Sequence, residues 1–273
     1  MISIIDLCVN YKDSLALDGI STEIKQGELV AIVGANGAGK STLLKSIMGQ
    51  LKPSSGYIDL GKLTPKDIAY LPQSHQIDRQ FPITVREFVS AGAWQRISFW
   101  KMFNRAEKVL LEQALSKVNL TGVEDRQISA LSGGQFQRML FARMLMQDAD
   151  ILLLDEPFAA IDAQTTMDLM EVIHDCQNQG KTIITVIHDL ALVNRFFPNV
   201  ILLAKQLIGS GKTQSVMTGS NLSKAGYQHL AYIPHQTQTL SENDTSRQSE
   251  QPDGKNADYS QICSNPAHYE ESA

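Results

Sequence analysis

The sequence predicts an α/β fold with a parallel sheet at its centre, and three observations carry that expectation. Short apolar runs occur at residues 29–33 and 151–154, the form a strand takes when both of its faces are buried, and 182–187 is again strand-like. Stretches with helical spacing, at 40–48 and 164–179, alternate with these runs, and such alternation makes a parallel sheet covered on both sides. A glycine-rich turn, Gly34-Ala35-Asn36-Gly37-Ala38-Gly39-Lys40-Ser41, joins the first run to the first helix.

Taken in order, the first 35 residues read as strands and turns: 2–9 is apolar-rich, 20–24 alternates, and 29–33 ends at Gly34. The helix over 40–48 presents Leu43, Leu44, Ile47 and Met48, and Gly49 stops it. From about 84 to 147 the pattern is mostly helical, which marks a helical subdomain inserted into the α/β core of a domain spanning 1–235. From Gln236 the composition turns to Gln, Ser, Thr, Asn, Asp and Glu. So little apolar surface cannot offset the entropy of ordering, so 236–273 is expected to be a disordered tail.

A length of 273 residues with 43% hydrophobic content supports an ample core. The tail's seven acidic residues against two basic ones carry the whole formal charge of -5. No basic face is left to favour nucleic acid as the main ligand. Three widely spaced cysteines, Cys8, Cys176 and Cys263, read as reduced thiols rather than a disulfide framework. No signal-like start is present, and no apolar run approaches the roughly 20 residues that span a bilayer. A soluble chain is expected, with any membrane role supplied by a partner.

The turn from Gly34 to Ser41 has the form G-x-x-x-x-G-K-S between a strand and a helix. Glycines let backbone N–H groups close around a phosphate, and the helix N-terminus, which includes Thr42, adds its dipole. Lys40 would reach the β- and γ-phosphates of ATP and Ser41 would ligate Mg²⁺. Alone, the pattern also suits an ordinary glycine turn. Asp155 and Glu156 end the apolar strand 151–154; the first suits a Mg²⁺ shell and the second can deprotonate an attacking water, though solvated strand-end acids look the same. Ser132, Gly133, Gly134 and Gln135 open a helix-spaced run, either as a second anion-binding terminus or as a simple cap.

Together these residues resemble the ATP-binding subunits of ABC transporters, over about residues 1–225. Leu131-Ser132-Gly133-Gly134-Gln135 matches that family's signature sequence, upstream of Asp155-Glu156 as the family requires. The resemblance implies a P-loop NTPase fold with an N-terminal antiparallel β part. It implies that Tyr11 stacks on adenine, that Gln73 touches Mg²⁺ and water, that Asp162 belongs to the D-loop, and that His188 contacts the γ-phosphate. It further implies a head-to-tail homodimer with ATP held between the glycine loop of one copy and Ser132-Gly133-Gly134 of the other. Glu156 would be the general base. Hydrolysis would drive integral membrane permease subunits from the cytoplasmic face of the membrane, with an extracytoplasmic binding protein delivering cargo.

Residues 73–85, with Asp78-Arg79, Phe81-Pro82 and Thr84-Val85, are similar to the corresponding segment of zinc and manganese importers. So is Pro157-Phe158-Ala159, while 91–96 looks closest to zinc-type members. Zinc is therefore the first expectation for the cargo, manganese the second, and iron chelates a further alternative, with a soluble ABC ATPase acting outside transport as the rival class. His235, Cys263 and His268 lack the compact spacing of a zinc site and are expected to be solvated tail residues.

Overall fold

The computed structural model describes residues 1–11, 14–95 and 105–227. The tail expected over 236–273, together with His235, Cys263 and His268, lies outside them, as does Arg96.

Among the described residues the strands are β1 (Ile2–Tyr11), β2 (Ser14–Ile24), β3 (Leu29–Val33), β4 (Ser55–Asp59), β5 (Ile68–Leu71), β6 (Ile151–Asp155), β7 (Thr182–Val186), β8 (Asn199–Ala204) and β9 (Gln206–Lys212). A three-stranded antiparallel sheet has the order β2-β1-β4, and a six-stranded sheet has the order β5-β6-β7-β3-β8-β9. Every neighbouring pair in the larger sheet is parallel except β8 with β9. The parallel core and the antiparallel N-terminal part agree with the sequence expectation.

The helices are α1 (Lys40–Ile47), α2 (Val85–Ser90), α3 (Arg105–Lys117), α4 (Gly133–Met146), α5 (Ala163–Asn178), α6 (Leu190–Phe196), α7 (Thr213–Val216) and α8 (Gly219–Lys224). Several start at a side-chain cap. Thr84 and Glu87 form a reciprocal capping box for α2, Asp162 caps α5, and Asp189 caps α6. Gly49, at φ 72°, ends the turn after α1 in the left-handed conformation that a side chain would resist.

Side-chain alternation along the buried strands divides the core into two layers. Leu29, Ala31 and Val33 face one way with Leu152 and Leu154, against α3, α4 and α5. Val30 and Ile32 face the other way with Ile151 and Leu153, against Leu43, Leu44 and Ile47 of α1 and the inner face of the small sheet. A fully buried Leu or Ile contributes about 2 kcal/mol, so the two layers hold the sheet from both sides.

Strand β3 lies between β7 and β8. Its C-terminal end, those of β6 and β7, and the loops that follow share one edge of the sheet, where α/β folds bind ligands. Lys205, at φ 62°, makes the turn from β8 to β9. Its N–H donates to the Ala38 carbonyl at 3.0 Å, and its carbonyl accepts from the Asp18 N–H at 2.9 Å. One residue thus joins the glycine loop, the main sheet and the small sheet.

Candidate active site

The loop from Gly34 to Ser41 is shaped by close approaches that exclude side chains. A Cβ on Gly34 would lie 2.4 Å from the Leu203 carbonyl oxygen. Gly39, at φ 94°, would place one 2.5 Å from Leu17 and 2.7 Å from the Ala16 carbonyl. Pressed against β2 and β8, the loop leaves a cavity of about 210 Å³ lined by residues 36–42 and Glu156. The Lys40 Nζ donates to the carbonyls of Gly34 at 2.8 Å and Ala35 at 3.0 Å. Burial pulls its ammonium below the usual lysine range, and the charges of Glu156 and Asp155 oppose that shift.

Asp155, 1% exposed at the end of β6, is a hub. The Ser41 hydroxyl donates to its Oδ1 at 3.2 Å, the Gln73 Nε2 donates to the same oxygen at 3.4 Å, and the Tyr70 hydroxyl donates to Oδ2 at 3.4 Å. Ser41, Gln73 and Asp155 therefore converge as oxygen-bearing groups, the donor chemistry that Mg²⁺ takes. Burial raises the Asp155 pKa; the Ser41 bond opposes the rise, and Glu156 adds to it. Burial and the Asp155 charge push Tyr70 up to about 12. Tyr70 has no place among the sequence-predicted residues. Its only sequence signal is its position on the short strand leading to Gln73.

A carboxyl group with a raised folded pKa holds its proton more tightly folded than unfolded. Its stabilising contribution is therefore lost as pH climbs from the ordinary aspartate value through the raised one, and ionised Asp155 costs stability at neutral pH. Asp155→Asn is accordingly expected to raise the thermal midpoint of the nucleotide-free protein at pH 7 and to weaken its fall as pH rises above the ordinary aspartate range, by scanning calorimetry. A lower midpoint at pH 7 would contradict this.

Glu156 sits at φ 52°, a left-handed conformation that costs a non-glycine residue about 1 kcal/mol. Its N–H donates to the Val186 carbonyl at 3.2 Å, and its Oε1 lies 2.7 Å from the His188 Nε2. It lines both the loop cavity and a neighbouring cavity of about 560 Å³ bounded by Phe158, Ile161, Met167, His188 and Phe196. Here the backbone turn at the end of β6 aims one carboxylate into the loop while His188, just beyond β7, holds it from the side.

Ser132 caps α4 in a reciprocal box with Gln135: each side chain accepts from the other's backbone N–H, at 3.2 and 3.1 Å. Asp162 accepts from the Thr165 N–H and hydroxyl, both at 2.8 Å, and these bonds hold its carboxyl below the usual range. A Cβ on Gly134 would lie 3.2 Å from the Thr165 Oγ1 and 3.6 Å from the Asp162 carboxylate, so these two motifs are neighbours. Among the described residues lining the loop cavity, neither Ser132 to Gln135 nor Tyr11 appears. Tyr11, 44% exposed at the end of β1, presents its ring to solvent. The structure brings together the loop, Gln73, Asp155, Glu156 and His188. It groups Ser132 to Gln135 with Asp162 instead.

A strand-loop-helix cradle of this shape on a parallel sheet defines a P-loop nucleotide triphosphatase. Residues 17–159 match the family model described as ABC transporter. The manganese transport system ATP-binding protein MntB of Listeria monocytogenes is 41% identical over 223 residues, covering 80% of this chain and 93% of the relative. The protein of the same name from Bacillus subtilis is 38% identical over 232 residues, covering 84% and 93%. Among solved structures, the dimeric structure of a bacterial ABC transporter cassette matches with a TM-score of 0.69 at 27% identity, covering 78% of this chain and 99% of that one. The chain belongs to the ABC transporter family, as an ATP-binding and ATP-hydrolysing cassette. No helix among the described residues is long and apolar enough to cross a membrane.

Proposed function

We propose that this chain is the ATPase subunit of a divalent-metal importer, with manganese as the cargo. The observation that carries this is its likeness, over nearly their whole length, to ATP-binding proteins named for manganese transport. The sequence alone put zinc ahead of manganese; the relatives' names support manganese.

Lys40 exchanges the Gly34 and Ala35 carbonyls for the β- and γ-phosphates of ATP, and the N–H groups of Asn36 to Thr42 close around them. Ser41, Gln73 and Asp155 would hold Mg²⁺, whose charge would offset that of the phosphates. Glu156 accepts a proton from the water that attacks the γ-phosphorus, giving ADP and phosphate, while His188 fixes the carboxylate and the γ-phosphate geometry. Tyr11 stacks on adenine. Ser132, Gly133, Gly134 and Gln135 lie apart from their own chain's loop cavity, which supports a head-to-tail homodimer in which each signature completes the partner's site. Permease subunits and an extracytoplasmic binding protein complete the system, with this subunit docked at the cytoplasmic face.

A deletion strain grown under separate manganese, zinc and iron limitation tests the cargo. Failure under manganese limitation alone, restored by the intact gene, is expected. Failure under zinc or iron limitation alone would reassign the cargo, and growth unaffected by all three would reject metal import.

A further inference from the structure

The loop that begins at Gln73 does more than supply an amide to Asp155. After a single helical turn at Ser74–Gln76, the Asp78 carboxylate accepts from the Gln80 N–H at 2.9 Å and bends the chain. The bend delivers the Arg79 side chain to the start of α4. There the Arg79 Nη2 donates to the Leu131 carbonyl, directly before the Ser132 cap. The Arg79 Cζ also stands 4.5 Å over the centroid of the Phe136 ring. Phe136 is 1% exposed and anchored in the core, and its N–H donates to the Ser132 carbonyl at 2.9 Å. Arg79 therefore grips the signature from both sides: the residue before its cap, and the ring one turn into its helix. A planar guanidinium suits this double contact, because it donates in its own plane while stacking its face on an aromatic ring.

We propose that Arg79 is a positioning residue that makes the placement of Ser132, Gly133 and Gly134 depend on what is bound beside Asp155. The path is short and continuous. Asp155 contacts Gln73, the Gln73 loop carries Arg79, and Arg79 holds Leu131 and Phe136. A change in the shell around Asp155 moves the loop, and the loop carries the N-terminus of α4 with it. Among the described residues the Arg79 guanidinium bonds to Leu131 and stacks on Phe136, so it acts through α4. This rests on the assignment of the 34–42 loop as the nucleotide site, and adds Arg79 as the side chain that ties the Gln73 loop to the signature.

Hydrogen exchange on the full-length protein tests it, with and without ATP plus Mg²⁺, at a dilution where the monomer lacks its partner's signature and turns over little ATP. In the wild type, ATP is expected to slow exchange over 34–42 and to change exchange over 133–137. In Arg79→Ala, protection over 34–42 persists, exchange over 133–137 is about tenfold faster, as the loss of one charged hydrogen bond allows, and its response to ATP disappears. Steady-state kinetics should show kcat lowered about tenfold with KM for ATP within about twofold, the split expected when placement rather than nucleotide affinity is lost. Phe136→Leu removes the stacking surface and leaves Arg79 intact. It is expected to weaken the 133–137 response in the same direction, and it covers the outcome that Arg79→Ala does not fold. A wild-type response in both variants, or no response over 133–137 in the wild type, overturns the proposal. No protection over 34–42 in the wild type would overturn the nucleotide site along with it.

Discussion

Glu156→Gln is expected to lower ATP turnover by about 10²–10⁴-fold, the contribution of a positioned general base. The substitution keeps the shape of the side chain, and an amide can still meet the His188 ring that now lies 2.7 Å from the carboxylate. The left-handed backbone at this position is unaffected by the change. What disappears is the proton acceptor aimed into the loop cavity. One negative charge near Lys40 also disappears, and that charge repels phosphate. ATP binding should therefore persist or tighten while phosphate release nearly stops, giving a nucleotide-bound dimer that outlasts the wild-type one. Phosphate release and size-exclusion chromatography with ATP read the two effects separately. Unchanged turnover would remove Glu156 from the role of base.

Lys40→Ala is expected to act on the opposite step. A charge-assisted hydrogen bond contributes about 1.5–3 kcal/mol, so nucleotide affinity should fall about 10–100-fold. The nucleotide-free protein should change much less. Its buried ammonium is held against desolvation by two carbonyls, and losing both bonds together with the desolvation cost leaves partly offsetting terms. The discriminating measurement is the rise in thermal midpoint on adding ATP, which should shrink in the variant while the midpoint without ATP stays close to that of the wild type. An undiminished ATP-induced rise would show that Lys40 does not hold phosphate.

Much of the site was legible in the sequence because its chemistry is local. A glycine loop, two acids at a strand end, and a serine cap with glutamine at its third helical position each announce themselves within a few residues. The relations between them were not legible. That Ser41 and Gln73 meet on one Asp155 oxygen depends on β5 lying beside β6, and β5 is only four residues long. Strand β4, Ser-Gly-Tyr-Ile-Asp, has no apolar alternation to show, because it is a mostly exposed edge with Tyr57 55% open to solvent. Strand β9 carries two glycines and pairs through a register shift, which blurs its period. Arg79 looked like part of a segment similar to metal importers. Its contact with Phe136 joins positions whose nearness only the fold creates.

The joint at Lys205 bears on the order in which this protein becomes functional during synthesis. The glycine loop is complete in sequence by residue 41, yet its rear wall is the Leu203 carbonyl and its Ala38 carbonyl is tied to Lys205. Strand β3, which launches the loop, gains its two neighbours only at residues 182–186 and 199–204. A nascent chain that has just released residue 150 carries the motif without the walls that shape it. Such long-range closure is slow and comes late. The emerging polypeptide therefore remains without a formed nucleotide site until nearly the whole ATPase portion has left the ribosome, and a truncated product would not compete with finished subunits for ATP.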